Sequence, residues 1–337
     1  MRTINTRTTL VIATALVGLT LSACSSGSEA ASSSSEAAPA SSAGAASESG
    51  AAPAGAIESV GLMVQDMSNP FFSAMEKGAQ EATAAIGATL NTQDAQLDLA
   101  AQNTQIDAFI QQGVDLIVIS AVDQAGIGPA IQRAKDAGII VMAVDTPAEG
   151  ADAVIMTDAV QAGEKSCQYL FEQMGGKGNV LLVDGTVIQT IIDRITGCKS
   201  VAESFPDIKI VGQQASKNDR ASGLAVTTDM LTATPDVQGI FGMNDPSALG
   251  AVLAVEQAGK TADIKVTGVD GSPVAVDELN REGSPFIGTA TQNPAEMVRK
   301  AVEIAQEIAA GNAPAETTIL IPSELVTRDN VSEYAGW

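Results

Sequence analysis

Short runs of aliphatic and β-branched residues alternate with longer amphipathic segments from Ile57 onward. Ten of these runs predict strands, at 59–64, 88–93, 115–120, 139–144, 152–157, 179–184, 208–213, 237–242, 264–269 and 286–291. Most segments between them have helical periodicity, as at 70–86, 97–112, 124–137, 160–174, 219–233, 246–258 and 294–310. Apolar strands separated by helices indicate parallel sheets covered on both faces. The pattern therefore predicts an α/β protein with two doubly wound, Rossmann-like domains.

Polar residues follow most of the predicted strands. They include Asp145, Asn244, Asp270 and Gln292. In doubly wound folds, ligands bind outside the carboxyl ends of the strands, so we expect a binding site to be built from these side chains. Asp66, Asp158 and Asp245 occupy similar positions, and we interpret them as helix caps or hinge residues.

The first 23 residues have the pattern of an export signal. Arg2 and Arg7 precede a short apolar stretch at 10–21, which is too short to span a bilayer as a helix. The sequence Leu-Ser-Ala-Cys at 21–24 resembles the lipobox of bacterial lipoproteins, in which cleavage precedes the cysteine and the thiol is acylated. We expect Cys24 to anchor the exported chain to the outer face of the cell membrane; the alternative is an ordinary secretory signal.

Residues 24–56 form the next unit of the predicted organisation. Beyond Cys24, this segment consists only of Ser, Ala, Gly, Glu and Pro. Such a composition cannot bury enough apolar surface to offset the entropy lost on ordering the backbone. The segment is therefore predicted to be a disordered tether between the lipid anchor and the globular body.

Composition excludes several classes of function. The 337 residues include 40 Asp and Glu, only 18 Lys and Arg, and no His. The net charge of −22 argues against nucleic-acid binding, which requires a basic surface. Without His there is neither a Ser-His-Asp or Cys-His catalytic centre nor a His-ligated zinc. We expect no metal and no cofactor, and an affinity that is nearly constant between pH 5 and 8.

Several motifs together resemble the type I periplasmic sugar-binding proteins of ABC importers, the ribose-binding group in particular. They are MSNPFFSAMEKGAQ (67–80), VMAVDTP (141–147), DRITGC (193–198), NDRASGL (218–224), FGMNDPSALGA (241–251), VTGVDGSP (266–273) and ATQNP (290–294). The resemblance covers residues 57 to about 325. It implies two lobes joined by three crossovers, an N-terminal lobe of 57–157 plus 293–318 and a C-terminal lobe of 158–292 plus 319–337.

The same resemblance assigns ligand contacts, with the sugar held between the lobes. Phe71 and Phe72 match an aromatic pair that lies against the sugar ring, and Arg194 matches a site arginine. The amides and carboxylates that match hydroxyl-binding residues are Asn69, Asp145, Asn244, Asp270 and Gln292. Carboxylates and amides suit sugar hydroxyls, which both donate and accept hydrogen bonds.

Two of these positions depart from the ribose-binding pattern. Thr146 stands where ribose binders have a second arginine, and Asn218 stands where they have an aromatic residue opposite the Phe pair. Ribose remains the leading ligand. Other pentoses, a hexose, a polyol and a cyclitol such as inositol remain alternatives.

Once Cys24 is acylated, Cys167 and Cys198 remain, in an oxidising compartment. They fall on consecutive predicted helices that flank the strand at 179–184. We hypothesise a disulfide between them; two buried free thiols are the alternative, since helix positions alone do not fix the distance between their Cα atoms.

Taken together, the sequence and the resemblance predict a non-enzymatic receptor that delivers a monosaccharide to a membrane ABC permease and its cytoplasmic ATPase. We expect a monomer attached to the membrane by its lipid alone. A sensor that signals to a receptor partner is an alternative. A DNA-binding regulator of the same fold lacks its headpiece here, and a glycosidase using Asp145 and Asp270 has only those two acids in its favour.

Overall fold

The computed structural model describes residues 55–334 and 336–337. The predicted export signal (1–23), Cys24 and all but the end of the predicted tether (24–56) lie outside the described residues. No helix in the described part of the chain is both long enough and apolar enough to cross a membrane.

The first lobe is built on a six-stranded parallel sheet. In chain order its strands are β1 (Ser59–Val64), β2 (Thr89–Asp94), β3 (Leu116–Ile119), β4 (Ile140–Val144), β5 (Ala153–Thr157) and β11 (Thr318–Ile321). They are arranged in the sheet as β11-β5-β4-β3-β1-β2. The helices packed on this sheet are α1 (Pro70–Ile86), α2 (Leu99–Gln112), α3 (Gly128–Asp136) and α9 (Pro294–Ala309).

The second lobe repeats this arrangement. Its strands are β6 (Lys177–Asp184), β7 (Asp207–Ala215), β8 (Gly239–Gly242), β9 (Lys265–Asp270), β10 (Phe286–Thr291) and β12 (Leu325–Thr327), in the sheet order β12-β10-β9-β8-β6-β7. Only β12 runs antiparallel to its neighbour within this described sheet. Its helices are α4 (Ala159–Gln173), α5 (Gln189–Ala202), α6 (Arg220–Ala233), α7 (Asp245–Gln257), α8 (Pro273–Asn280) and a short 3-10 helix at Val331–Glu333.

Hydrophobic burial holds both sheets between their helices. Leu62, Val118 and Met142 are fully buried in the first lobe, as are Leu181 and Ile240 in the second. Burying one such side chain contributes about 1.5–3 kcal/mol relative to leaving it exposed. The apolar runs of the sequence are therefore the sheet interiors, because a parallel strand is covered on both faces.

The predicted fold class is confirmed. All ten predicted strands are present, and β1 and β10 have the predicted bounds. The strands missed are β11 and β12, which are short, and the side chains of β11 alternate between exposed and half-buried. Their apolar runs are only three residues in β11 and two in β12, so their place in the sheets depends on partners distant in the chain.

The chain crosses between the lobes three times, as expected: between β5 and α4, between β10 and α9, and between β11 and β12. Ser323, in the last crossing, donates from its backbone N to Gln161 Oε1 at 2.9 Å and from Oγ to Thr291 O at 2.8 Å. It thereby links all three crossings. The proposed lobe boundary at 318 needs correction, since β11 pairs with β5 and keeps the chain in the first lobe until Ile321.

Candidate ligand-binding site

The expected site residues come from both lobes. The first lobe supplies Asn69, Phe71, Phe72, Asp145 and Thr146, and the second supplies Arg194, Asn218, Asn244, Asp270 and Gln292. Asp145 lies near enough to Arg194 and Asp270 for their charges to shift its pKa, so the carboxyl ends of the two sheets face each other. The lobes are closed on each other here, and Asp145 is only 7% exposed.

Asp145 directly follows β4 and adopts a left-handed backbone conformation, with φ 63°. Asp tolerates this region better than most residues. Its Oδ2 lies 3.3 Å from both Ser120 Oγ and Thr146 Oγ1. No residue in the described part of the chain forms a hydrogen bond to its Oδ1. This carboxylate therefore has an oxygen that can accept from a ligand.

Burial raises the pKa of Asp145 to about 6, with Arg194 opposing the shift and Asp270 adding to it. The expectation of nearly constant affinity between pH 5 and 8 stays a prediction, and Asp145 is the group that could make affinity depend on pH in that range. The expectation considered only pKa values in water, whereas burial moves a carboxyl into the range that His normally occupies.

Thr146, which replaces the second arginine of ribose binders, has a hydroxyl that is already hydrogen-bonded within the first lobe. Its Oγ1 accepts from Gln65 Nε2 at 2.9 Å, and the same Nε2 lies 3.1 Å from Ser120 Oγ and 3.0 Å from Ala121 O. Gln65 is 5% exposed and follows β1. Gln65 therefore holds the two hydroxyls that contact Asp145, and this amide network occupies the base of the site in the first lobe.

Arg194 lies on α5 and is 5% exposed. Glycines let α5 approach α4 closely: a Cβ at Gly163 would lie 2.0 Å from Arg194 O, and a Cβ at Gly197 would lie 2.1 Å from Val160 O. Close packing of these helices fixes where the guanidinium emerges. Its Nη1 donates to Met243 O at 2.9 Å and lies 3.4 Å from Asp270 Oδ1.

The Nε of Arg194 is buried and has no hydrogen-bond partner among the described residues. A buried polar group without a partner costs about 1–3 kcal/mol, and more when charged. An acceptor oxygen from a ligand would remove that cost. This orphaned donor is the strongest single sign of a ligand at this position.

Asp270 ends β9 with φ 143°, a conformation that L-residues rarely adopt. Besides Arg194, two groups hold its carboxylate: Gln292 Nε2 donates to Oδ1 at 2.8 Å and Asp245 N to Oδ2 at 3.2 Å. Its carbonyl accepts from Gln292 N at 2.8 Å and from Trp337 Nε1 at 2.7 Å. Burial raises its pKa, while Arg194 opposes that shift. Gln292 thus positions Asp270 twice, through its side chain and its backbone.

Asp245, whose backbone N donates to Asp270, is fully buried. Its carboxylate accepts from Thr289 Oγ1 at 2.7 Å and from Ser272 N and Oγ, both at 2.8 Å. Burial, and then the charge of Asp270, raise its pKa to about 8. Asp245 is therefore structural, as the sequence suggested, and it orders the loop that follows Asp270 at the end of β9.

The three asparagines are partly engaged in holding the backbone. Asn69 caps α1 by accepting from Phe71 N at 3.0 Å, and Asn244 caps α7 by accepting from Ser247 N at 3.0 Å. Asn218 forms two hydrogen bonds with Thr186: its Oδ1 accepts from Thr186 N at 2.9 Å, and its Nδ2 donates to Thr186 Oγ1 at 2.7 Å. Asn244 also donates from Nδ2 to Asn218 O at 3.0 Å, so Asn244 and Asn218 both help to order the loop after β7. The side-chain amide nitrogen of Asn69 has no hydrogen-bond partner among the described residues and retains its full capacity for a ligand.

Phe71 and Phe72 open α1 and are buried, with ring centroids 5.3 Å apart in an edge-to-face arrangement. Phe71 also meets Trp337 edge to face, with ring centroids 5.7 Å apart. Trp337 belongs to the segment that follows β12 of the second lobe. An aromatic residue from the second lobe therefore does face the Phe pair, although Asn218 is not that residue.

Cys167 on α4 and Cys198 on α5 form a disulfide, with Cα atoms 5.1 Å apart and both residues fully buried. It joins the two helices whose close packing sets the position of Arg194. The covalent link thus lies behind the site in the second lobe.

Sequence reasoning missed Gln65, Ser120 and Trp337. Gln65 and Ser120 follow β1 and β3 directly, so the rule that selected Asp145 could have found them. Trp337 is the only tryptophan in the chain, but nothing near it in sequence marks it as part of a site.

Comparison with known proteins agrees with this geometry. The sequence profile of the periplasmic binding protein domain matches residues 60–313. The chain is a periplasmic binding protein. It is similar to the ribose import binding protein RbsB of Bacillus subtilis, with 30% identity over 80% of this chain and 87% of that protein.

Two further members of the family are similar to this chain, one in sequence and one in structure. The xylitol-binding protein of Mycolicibacterium smegmatis is 28% identical over 95% of this chain and 85% of its own length. The structure of an ABC transporter solute-binding protein from Bacillus halodurans with bound myo-inositol superposes with a TM-score of 0.77, at 27% identity, over 86% of this chain and 99% of that one. The two-lobe, three-crossover architecture is that of this periplasmic binding protein family.

Proposed function

We propose that this periplasmic binding protein captures a neutral monosaccharide, ribose or a related polyhydroxy compound, between its lobes and delivers it to an ABC permease. The orphaned Arg194 Nε carries the proposal, together with the unbonded Oδ1 of Asp145 across the cleft. A sugar hydroxyl can accept from the first and donate to the second. Relatives that bind ribose and xylitol, and a similar structure holding myo-inositol, support this class of ligand.

The ligand is neutral because the site has no uncompensated positive charge among its described side chains. Arg194 is already paired with Asp270, and Thr146 provides no second cation. A carboxylate or phosphate on the ligand would face Asp145 and Asp270 without compensation. Hydroxyl groups instead donate to these acids and form charge-assisted bonds.

Binding and closure are coupled through Asp145. In the closed protein without ligand, burial disfavours its ionised form, which raises its pKa to about 6. Closure at neutral pH is therefore costly unless a ligand hydroxyl donates to the carboxylate. The ligand then favours the closed state by its differential contacts with that state. A micromolar dissociation constant corresponds to about −8 kcal/mol, within reach of several such bonds.

Substrate choice depends on the first-lobe network. Since Gln65 fixes Thr146 Oγ1, the ligand meets a hydroxyl and an amide where ribose binders have an arginine. A site of this kind rejects analogues that lack the matching hydroxyl, because its own polar groups are then left unpaired. Ribose is the first candidate, and xylitol, allose and myo-inositol are the competing ones.

Thermal-shift measurements and calorimetry on residues 55–337 with D-ribose, xylitol, D-allose and myo-inositol test this assignment. At least one compound should stabilise the protein, since stabilisation follows occupancy. The Arg194→Ala variant serves as the negative control. Absence of binding by every neutral sugar and polyol, or binding only by charged solutes, would refute the proposal.

Delivery and anchoring form a separate part of the proposal. We propose that Cys24 carries a lipid on the outer face of the membrane and that the segment through residue 56 tethers the lobes near the permease. Mass spectrometry of the mature chain from its host should show an N-terminal acylated cysteine. Uptake of the bound sugar should require both this protein and an intact Cys24, and Cys24→Ala should leave binding by the lobes unchanged.

A further inference from the structure

Trp337 contacts both halves of the proposed site. Its ring meets that of Phe71 in the first lobe, with centroids 5.7 Å apart, and its Nε1 donates to the backbone carbonyl of Asp270 in the second lobe at 2.7 Å. It packs half-buried against the hydrophobic core of the first lobe, although its chain segment belongs to the second. A side chain with contacts in both lobes must lose or change some of them when the lobes move apart.

The residues before Trp337 attach its segment to the second lobe. Val331 is buried in the core of that lobe, and Tyr334 Oη donates to Gly271 O at 2.9 Å. Gly336 has φ 81° and lies against Pro273, where a Cβ would be 3.2 Å from the Pro273 Cα. The segment is thus held close to the loop after β9, and Trp337 extends from it towards Phe71.

Trp337 also holds the backbone of Asp270. The Asp270 carbonyl accepts from both Trp337 Nε1 at 2.7 Å and Gln292 N at 2.8 Å. Because Asp270 has φ 143°, its backbone keeps this conformation only when its surroundings hold it. The two donors fix the peptide from which the carboxylate reaches Arg194.

We propose that Trp337 is a positioning residue and a latch between the lobes: it orients Asp270 for the ligand and adds an aromatic contact with Phe71 that forms only on closure. The proposal rests on the proposed function, since it requires a ligand that closes the lobes. It concerns a residue outside the set that resemblance to ribose binders assigns. Affinity should therefore depend on Trp337 even where that residue does not touch the sugar.

Trp337 supplies its own probe, because it is the only tryptophan of the 337 residues. In the closed state its ring lies against Phe71 and lines, with Pro70 and Gln292, a groove of about 740 Å³ between the lobes. Opening the lobes removes the contact with Phe71 and exposes the ring to water. Addition of a sugar that binds by calorimetry should therefore shift Trp337 emission to shorter wavelength and reduce its quenching by acrylamide.

Two substitutions separate the two contacts. Trp337→Ala removes both, and should raise the dissociation constant about tenfold, because the aromatic pair and the hydrogen bond are lost together. Trp337→Phe retains a ring for Phe71 but loses the donor to Asp270, and should raise it about threefold. Tyr334→Phe, which loses only the hydroxyl bond to Gly271, is the matched control and should bind nearly as the parent protein does.

The experiment uses D-ribose, xylitol and myo-inositol with the parent protein and these variants. If none of the three compounds binds the parent protein, the proposed ligand class fails first. If a compound binds the parent protein but Trp337 emission stays unchanged, or Trp337→Ala binds equally well, the latch is refuted while the proposed function stands. A smaller loss in Trp337→Phe than in Trp337→Ala supports the aromatic contact, and equal losses would overturn that part of the proposal.

Discussion

The two lobes present one acid each to the cleft, and they hold it very differently. Asp145 in the first lobe has only two hydroxyls at 3.3 Å from its Oδ2. Asp270 in the second lobe is held by Arg194, Gln292, the Asp245 backbone and Trp337. The second-lobe half is therefore organised before a ligand arrives, whereas Asp145 must obtain its remaining hydrogen bonds from the ligand.

This difference suggests a division of roles. A preorganised half binds with little further loss of conformational freedom, so the second lobe is suited to receive the ligand first. The first lobe then closes only when ligand hydroxyls satisfy Asp145. Loss of Arg194 should accordingly affect folding and binding together, because Arg194 both pairs with buried Asp270 and faces the ligand, whereas loss of Asp145 should mainly affect closure.

The largest effect is expected at Arg194. Arg194→Ala leaves Asp270 buried without its cation, and should lower the free energy of unfolding by about 3–5 kcal/mol and weaken sugar binding by on the order of 100-fold. Chemical denaturation and calorimetry measure the two effects. Arg133→Ala, which breaks an exposed pair with Asp107, is the control and should cost less than about 1 kcal/mol.

A double variant refines the test at Arg194. Arg194→Ala combined with Asp270→Asn removes the unpaired buried charge, so it should recover part of the lost stability but not the binding. Equal stability of the single and double variants would show that the second lobe does not depend on this ion pair.

The disulfide is the next difference between the lobes. Cys167→Ser with Cys198→Ser removes a link across 31 positions of sequence. The free energy of unfolding should fall by about 3 kcal/mol in the chain-entropy model, because the unfolded chain regains freedom. Sugar affinity should change much less, since glycine-mediated packing still holds α4 against α5. Two titratable thiols in the unfolded, unreduced parent protein would contradict the disulfide itself.

Burial of Asp145 should make the stability of the protein depend on pH. The pKa of Asp145 is about 6 in the closed protein against 3.8 for the free residue, so between these values the folded state retains a proton that the unfolded chain has released. The contribution of Asp145 to the stability of the ligand-free protein should therefore fall as pH rises from about 4 to 6, by at most about 3 kcal/mol, and then level off. Buried Asp245, with its pKa raised to about 8, should continue the decline above pH 6. Denaturation at several pH values measures this decline.

Asp145→Asn is the matched variant for the pH experiment. It keeps the shape of the side chain and tolerates the left-handed backbone, but has no charge to bury. In this variant, the free energy of unfolding should fall less between pH 4 and 6 than in the parent protein, by the contribution of Asp145. In the parent protein, a saturating sugar should reduce the same decline. Identical pH profiles for the two proteins would disprove the role assigned to Asp145.

The smallest effect on stability is expected at Asn69. Asn69→Ala removes the cap of α1 and should cost about 1 kcal/mol, whereas Asn69→Ser retains a capping oxygen. Both variants lack the amide, so both should bind sugar more weakly than the parent protein. If Asn69→Ser binds normally, Asn69 is only a helix cap, and the first lobe contributes less to the ligand than proposed.

Much of the site could be predicted from local sequence. Asp145, Asp270 and Gln292 were found because polar residues after parallel strands share one edge of a sheet. The interpretation of Asp158 as a cap is confirmed, since it accepts from Gln161 N at the start of α4. The position of Asn218 was identified but its chemistry was not, because the bonds to Thr186 depend on a loop distant in sequence.

The sequence by itself determined the two α/β lobes, their ten main strands and the kind of side chains at the strand ends. These features follow from the periodicity of apolar residues and from capping, which act between near neighbours in the chain. Only the tertiary structure decided which acid is buried behind the other, which residues hold Asp145, and that Trp337 meets Phe71. Those contacts join residues far apart in sequence, and desolvation, which sets the pKa of Asp145, depends on how completely the two lobes exclude water between them.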